Sequence, residues 1–164
     1  MGKRSVKENK TVYQRKREDL GYSREEASAR METISPERLE RLENGRIPIQ
    51  PRDVVEFSRG YRAPELCSYY CRNDCAVGGQ TGRDIRLKTL PQIAVETFAA
   101  LNQVDAIKAR LLEIVSDGEV TAQEYADFAE IETVLEKLAL SVDSLQLWIR
   151  NRKANGYLPE EMTR

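Results

Sequence analysis

The sequence contains no histidine and no long apolar run. Histidine is the only side chain whose unperturbed pKa lies near neutrality. Catalysis by histidine, pH sensing by histidine and metal ligation by histidine are therefore excluded. No stretch approaches the roughly 18 apolar residues of a membrane-spanning helix. The basic N-terminus is not followed by the apolar segment of a secretory signal. We therefore expect a cytoplasmic protein with no membrane association.

Recognisable signals of catalysis are missing as well. There is no evident pair of nucleophile and base, and no glycine-rich phosphate loop follows a strand pattern. No acid pair lies in a catalytic motif. We therefore expect no enzymatic activity and no cofactor.

Cysteine is scarce, but the three cysteines are regularly spaced. Cys67, Cys71 and Cys75 follow one another at i, i+4 and i+8, which places them along one face of a predicted fifth helix. A metal, iron–sulfur or redox site is one interpretation, for which Asp74 is the only apparent further ligand nearby. The other interpretation is that buried thiols serve as small apolar residues. We favour the second and predict no metal site.

Charge is balanced over the whole chain but not along it. The net charge is −1, from 26 Lys and Arg against 27 Asp and Glu. Residues 1–66 carry 15 basic against 12 acidic residues, or +3, and the remainder carries 11 against 15, or −4. The positive N-terminal part favours a nucleic-acid partner. Residues 1–10 are predicted to form a disordered basic arm.

The stretch 21–45 predicts two short helices joined by a turn. Ser23 is a good N-cap, and Glu26 three residues later completes a capping box. Ser35 begins the second helix, with Pro36 in the first helical position, where its missing N–H is tolerated. The Asn-Gly pair that closes the stretch accepts a left-handed backbone. Two helices of about eight residues with such a turn have the spacing of a helix-turn-helix.

Residues 11–61 resemble the lambda-repressor-like, xenobiotic-response-element family of helix-turn-helix domains. The matching residues are Arg17, Gly21, Ser23, Ser35, Leu39, Leu42 and the Glu43-Asn44-Gly45 end. The resemblance implies a five-helix domain whose third helix reads the major groove of DNA. It also implies an internal ion pair that joins the first helix to the end of the third, between Arg17 and Glu43.

The resemblance further implies which residues contact DNA. The second helix would approach the duplex with its first residue, and the third helix with its exposed face and its C-terminal end. Six residues are predicted, namely Arg24 on phosphate or a base edge, Glu37, Arg38 and Arg41 in the major groove, and Asn44 and Arg46 on phosphate.

The C-terminal part carries the longest regular pattern. Its apolar residues alternate at steps of three and four, which is a heptad pattern. They are Phe128, Ile131, Leu135, Leu138, Val142, Leu145 and Ile149. The segment 90–115 carries a similar pattern, interrupted by Lys108. Two long helices with a short connection are expected to pack antiparallel.

The predicted fold is all-α, a five-helix repressor-like helix-turn-helix domain followed by a long antiparallel two-helix hairpin. The predicted divisions are an arm at 1–10, the domain at 11–76, a linker at 77–89, the hairpin at 90–156 and a tail at 157–164. A hairpin leaves apolar residues uncovered, so we expect a homodimer formed through residues 90–150.

These observations predict a sequence-specific transcriptional regulator that binds double-stranded DNA as a dimer. The alternative is a protein-interaction adaptor, built on a repressor-like domain that no longer binds DNA. Two features favour the adaptor. The turn 31–35 is one residue longer than is common in the resembling family, and the third helix carries Glu37, Glu40 and Glu43. Acidic side chains oppose the phosphate attraction that dominates affinity.

Overall fold

A computed structural model describes residues 9–116, 118–119 and 121–159 of the chain. These residues form α1 (Val12–Asp19), α2 (Arg24–Ser28), α3 (Pro36–Glu43), α4 (Pro51–Gly60), α5 (Glu65–Asn73), α6 (Ala76–Thr81), α7 (Leu90–Ile114) and α8 (Tyr125–Ala154). The described residues contain no strand, and the predicted all-α fold is confirmed. Most of the predicted basic arm, residues 1–8, and the last five residues of the tail lie outside the described residues.

The chain divides into two compact units. The first unit comprises Met1–Asp84 and Ile149–Arg164, and the second comprises Ile85–Trp148. The last residues of α8 therefore belong to the first unit. The predicted division assigned them, with the rest of that helix, to the hairpin at 90–156. In the part that the structure describes, no helix combines the length and the apolar character needed to cross a membrane.

The core of the first unit is built from one face of each of the helices α1 to α5. Phe57 is fully buried at its centre, with ring centroids 5.1 Å from Tyr13 and 5.8 Å from Tyr61. Burying a side chain of this size contributes about 1.5–3 kcal/mol. The other buried apolar residues of this core are Ala27, Ile34, Leu39, Leu42, Val54, Ala63 and Leu66.

Side-chain caps fix where α2 and α3 begin. The Ser23 hydroxyl accepts from the Glu26 N–H at 3.1 Å, and the Glu26 carboxylate accepts from the Ser23 N–H at 2.7 Å. This is the predicted capping box, and it satisfies two backbone donors at the helix start. The Ser35 hydroxyl accepts from the Arg38 N–H at 3.3 Å, as the Ser-Pro start predicted. Gly45 has φ +69°, the left-handed conformation expected after α3.

Helix α2 is shorter than the predicted eight residues or so. It has five residues and ends at Ser28. The next backbone donors, Arg30 and Met31, bond to the carbonyls three residues earlier, at 3.0 and 2.9 Å. This tightening ends the α-helix, and the Ser28 hydroxyl donates to the Ile34 carbonyl at 2.5 Å across the turn.

The predicted linker begins with a helix, α6. A Cβ at Gly78 would overlap the backbone carbonyl of Cys71, so the glycine permits α6 to approach α5 closely. The Arg72 guanidinium donates to the carbonyls of Gly79 and Gly82 at 3.0 and 3.1 Å. These contacts satisfy carbonyls that a helix end leaves without partners. The sequence predicted only a linker here, without a helix.

The three thiols do not share one helical face. Helix α5 ends at Asn73, and Cys75 has an extended backbone as the N-cap of α6. Cys67 and Cys75 are half-buried and Cys71 is exposed, so the prediction of buried thiols is wrong for Cys71. Within the described residues, no group of three histidine, cysteine or acidic residues could hold a metal ion.

The second unit contains α7 and all but the end of α8, and these helices pack together. Arg110 pairs with Asp127 at 2.6 Å, and Lys137 donates to Gln103 at 3.3 Å. From the first contact to the second, the residue number falls along α7 and rises along α8. The two helices therefore run antiparallel, as predicted. Their buried residues are Ile93, Ala100, Ile114, Ile131, Val134, Ser141, Ser144 and Leu147.

The heptad pattern of α8 does not form a single buried stripe. Ile131 is buried, but Phe128, Leu135 and Val142 are 40%, 44% and 43% exposed, and we call these three the outer row. One partner helix covers only one side of α8, and the covered side continues through Ser141 and Ser144. The hydroxyls of these serines donate to backbone carbonyls at 2.8 and 2.7 Å, which makes their burial acceptable.

Candidate nucleic-acid interface

A buried ion pair joins α1 to the end of α3. The Arg17 guanidinium donates to the two carboxylate oxygens of Glu43 at 2.5 and 3.0 Å. The two side chains are only 5% and 1% exposed. Arg17 also donates to the Tyr22 carbonyl at 2.6 Å, at the entry to α2. The predicted pair is confirmed, and it fixes three segments of the helix-turn-helix relative to one another.

Arg24, predicted to contact DNA, shares this carboxylate. Its Nε donates to Glu43 Oε2 at 2.9 Å, while 32% of the Arg24 side chain remains exposed. Glu43 therefore lies between two guanidinium groups, which neutralise its charge. The start of α2 is in this way joined to the end of α3.

Arg38, predicted to enter the major groove, pairs with a residue of α4. Its guanidinium donates to Asp53 Oδ1 at 2.7 Å, and the Asp53 side chain is 1% exposed. Asp53 also accepts from the Gln50 N–H at 3.0 Å and so caps α4. Arg38 is thereby a residue that positions α3 against α4.

We expect the substitution Arg38→Ala to lower the free energy of unfolding by about 1–3 kcal/mol, because it removes a partner from the buried Asp53 carboxylate. Urea unfolding measures this change. Arg41→Ala is the matched control, since Arg41 is an exposed arginine on the same helix and its loss is expected to change stability by less than about 0.5 kcal/mol. Equal stabilities of the two variants would contradict this role of Arg38.

Glu37 lies exposed at the N-terminus of α3. Its carboxylate accepts from the Ser35 hydroxyl at 2.8 Å. A hydrogen bond from its own backbone N–H, followed by the one from Ser35, lowers the pKa of Glu37. The side chain is therefore a carboxylate at neutral pH. A carboxylate at this position can accept from the amino group of cytosine but repels phosphate.

The remaining predicted residues lie at the C-terminal part of α3. Arg41 is exposed. Arg46 is 66% exposed and 4.0 Å from the Glu40 carboxylate, a weak surface pair. The Asn44 amide donates to Glu40 at 3.4 Å. Arg41 and Arg46 are thus the two predicted arginines whose guanidinium groups are available to a phosphate or a base.

The long turn between α2 and α3 is held by α4. The Glu56 carboxylate accepts from the Glu32 N–H at 2.7 Å and from the Thr33 hydroxyl at 3.1 Å. Ile34, which follows, is 2% exposed and belongs to the core. The extra residue of the turn is therefore accommodated in an ordered conformation. Sequence reasoning missed Glu56 and Asp53, because nothing in their local sequence indicates partners 15 to 24 residues away.

Comparison with known proteins agrees with this architecture. Residues 14–66 match the family model described as a helix-turn-helix domain. The match extends from α1 to the start of α5, and so covers the whole arrangement of α2, turn and α3. No curated protein and no solved structure matches the chain.

Proposed function

We propose that this protein is a cytoplasmic regulator of transcription that binds double-stranded DNA sequence-specifically, as a dimer, with α3 in the major groove. The observation that supports this proposal best is the fixed position of α3. Its two ends are tied by the pairs of Glu43 with Arg17 and of Arg38 with Asp53, while Arg41 on its surface is left exposed. A rigidly placed element is what direct readout of bases requires.

The proposed roles follow from these positions. Arg41 contacts a base edge or a phosphate from the exposed face of α3, and Arg46 contacts phosphate beyond its end. Glu37 accepts from a cytosine amino group. Asn44 and the exposed part of Arg24 contact phosphate. Arg38 acts chiefly through Asp53, and a base contact by Arg38 would require that pair to open.

The acidic composition of α3 opposes DNA binding less than the sequence suggested. Glu43 is buried between two guanidinium groups and presents no charge to a duplex. The exposed carboxylates of Glu37 and Glu40 are then balanced by Arg41 and Arg46. The feature that favoured the adaptor is accordingly weakened, and we retain the adaptor only as an outcome of the test below.

The first test of the function is selection of duplexes from a random library by the full-length protein, followed by anisotropy titrations on the selected site. Arg41→Ala is expected to weaken binding to that site by 1–3 kcal/mol, or about 5- to 150-fold, the size of one good base contact. Affinity is also expected to fall steeply with salt concentration.

Arg59→Ala is the control for this experiment. Arg59 is an exposed arginine in the last turn of α4, so the substitution removes the same charge from an element that is not proposed to contact bases. Its affinity for the selected site should equal that of the wild type. A wild-type protein with no measurable, salt-sensitive binding to any duplex would favour the adaptor instead.

A further inference from the structure

A basic cleft of about 490 Å³ lies in the first unit, at the end of α4. It is formed by the last turn of α4, the connection to α5 and the last residues of α8. Arg59, Arg62 and Lys153 line it, together with Ser58 and Gly156. A volume of this size is in the range of small-molecule sites. None of the described residues that line it belongs to α2 or α3, so it is separate from the proposed DNA-contacting residues.

Two of the cationic side chains that line the cleft, Arg59 and Arg62, have no acidic partner among the residues that the structure describes. Both side chains are exposed. The described lining includes no carboxylate. Glu65, close by in the sequence, is already occupied by Lys16 at 2.7 Å and by the Asn151 amide at 3.3 Å. Two guanidinium groups without an acidic partner among the described residues therefore border a space that an anion could enter.

Arg62 occupies a backbone position where arginine is unfavourable. Its φ is +52°, in the left-handed region, at the end of α4 where glycine is the usual residue. Its carbonyl accepts from the Asn155 amide at 3.0 Å, which helps to hold this conformation. Nothing in the backbone requires an arginine there, and non-glycine residues in such conformations concentrate at functional sites. We therefore attribute the presence of arginine at this position to its side chain and not to its backbone.

We propose that this cleft binds a small phosphorylated ligand. Guanidinium groups present paired N–H donors that match the oxygens of a phosphate, and two neighbouring arginines suit a multiply charged group. The Ser58 hydroxyl supplies one further donor of the kind that phosphate oxygens accept. Binding joins the end of α4 to the last turn of α8, both of which lie in the first unit.

The test uses inorganic pyrophosphate as the probe, titrated into the full-length protein by calorimetry at constant ionic strength. The wild type is expected to bind, and a saturating concentration should raise the melting temperature by several degrees. Arg59→Ala and Arg62→Gly should each weaken binding at least about 10-fold, the loss expected for one charge-assisted contact. Arg62→Gly also relieves the left-handed backbone, so it loses the side chain without loss of folding.

Arg52→Ala is the control, since Arg52 is an exposed arginine in the first turn of the same helix and does not line the cleft. It should bind pyrophosphate as the wild type does. Sodium chloride at equal ionic strength should not reproduce the rise in melting temperature. The absence of pyrophosphate binding, or binding that all three variants retain, would overturn the proposal.

The outcome is distinguishable from that of the DNA-binding test. Arg41→Ala should lose DNA affinity and keep pyrophosphate binding, and Arg59→Ala should do the reverse. Failure of the cleft to bind pyrophosphate leaves the DNA-binding proposal intact. If Arg59→Ala and Arg62→Gly weaken DNA binding as strongly as Arg41→Ala does, the cleft is part of the DNA surface and the ligand proposal is overturned.

Discussion

Replacement of Glu43 by alanine is expected to lower the free energy of unfolding by about 3–5 kcal/mol, the usual effect of removing one partner of a buried ion pair. The Glu43 side chain is 1% exposed and accepts from both Arg17 and Arg24. Without it, the guanidinium of Arg17, which is 5% exposed, keeps its charge in the core with only the Tyr22 carbonyl and the neighbouring Glu18 carboxylate near it. In the unfolded chain the Arg17 guanidinium is hydrated, so the substitution raises the free energy of the folded state only.

Urea and thermal unfolding of the full-length protein measure this effect. Glu25→Ala is the matched control, because Glu25 is an exposed glutamate in the first turn of α2, and its loss should change stability by less than about 0.5 kcal/mol. The double substitution Arg17→Met with Glu43→Leu should recover most of the loss, since it removes both members of the buried pair, and Arg24, which also loses Glu43, is 32% exposed and can be solvated. A loss below about 1 kcal/mol in Glu43→Ala would show that the pair does not hold α1 to α3.

The parts of this fold that the sequence predicts correctly are those that depend on neighbouring residues. Ser23 with Glu26, and Ser35 with Pro36, mark helix starts because a cap needs partners only three residues away. The left-handed residue that follows α3 is likewise read from an Asn-Gly pair. Resemblance to a known family added the pair of Arg17 with Glu43, which local patterns do not reveal.

The candidate site is less predictable, because exposure depends on distant partners. Arg38 and Arg41 are equivalent in the sequence, yet Arg38 is engaged by Asp53 from the next helix and Arg41 is not. The same ambiguity applies to Gly78 in the predicted linker, since adjacent glycines suggest flexibility until the close backbone contact with Cys71 is known.

The same limit applies to the heptad pattern of α8. The periodicity predicts a helix whose apolar residues form two parallel rows. It does not indicate which of the two rows is buried against the partner helix. The structure buries Ile131 and leaves the outer row exposed, as it does Phe98 and Leu112 of α7, at 66% and 61%. The spacing of seven residues places the members of the outer row about 10 Å apart along one line of the helix. Such a line of half-exposed apolar side chains is the surface that we propose for the dimer contact.

Leu135→Glu, at the centre of the outer row, is expected to convert the protein to a monomer and to weaken binding to a two-half-site duplex by about 100- to 10,000-fold. The carboxylate would be desolvated in the interface without a partner, which costs several kcal/mol. In the dimer, binding of one helix-turn-helix domain to its half-site holds the other domain close to the second half-site, so the second contact is intramolecular. A monomer has no such advantage. Folding should survive, because Leu135 is 44% exposed in the protomer.

Analytical ultracentrifugation gives the oligomeric state, and titrations on duplexes with one or two half-sites separate the two effects. Affinity for a single half-site should not change, because Leu135 lies outside the unit that carries α3. Thr133→Glu is the control, since it adds the same charge at an exposed position of α8 that is not in the outer row. A wild-type protein that sediments as a monomer at tens of micromolar, or a Leu135→Glu variant that remains dimeric, would exclude the outer row as the dimer contact. In the second case the dimer, and with it the paired half-sites, would have to be formed by another surface.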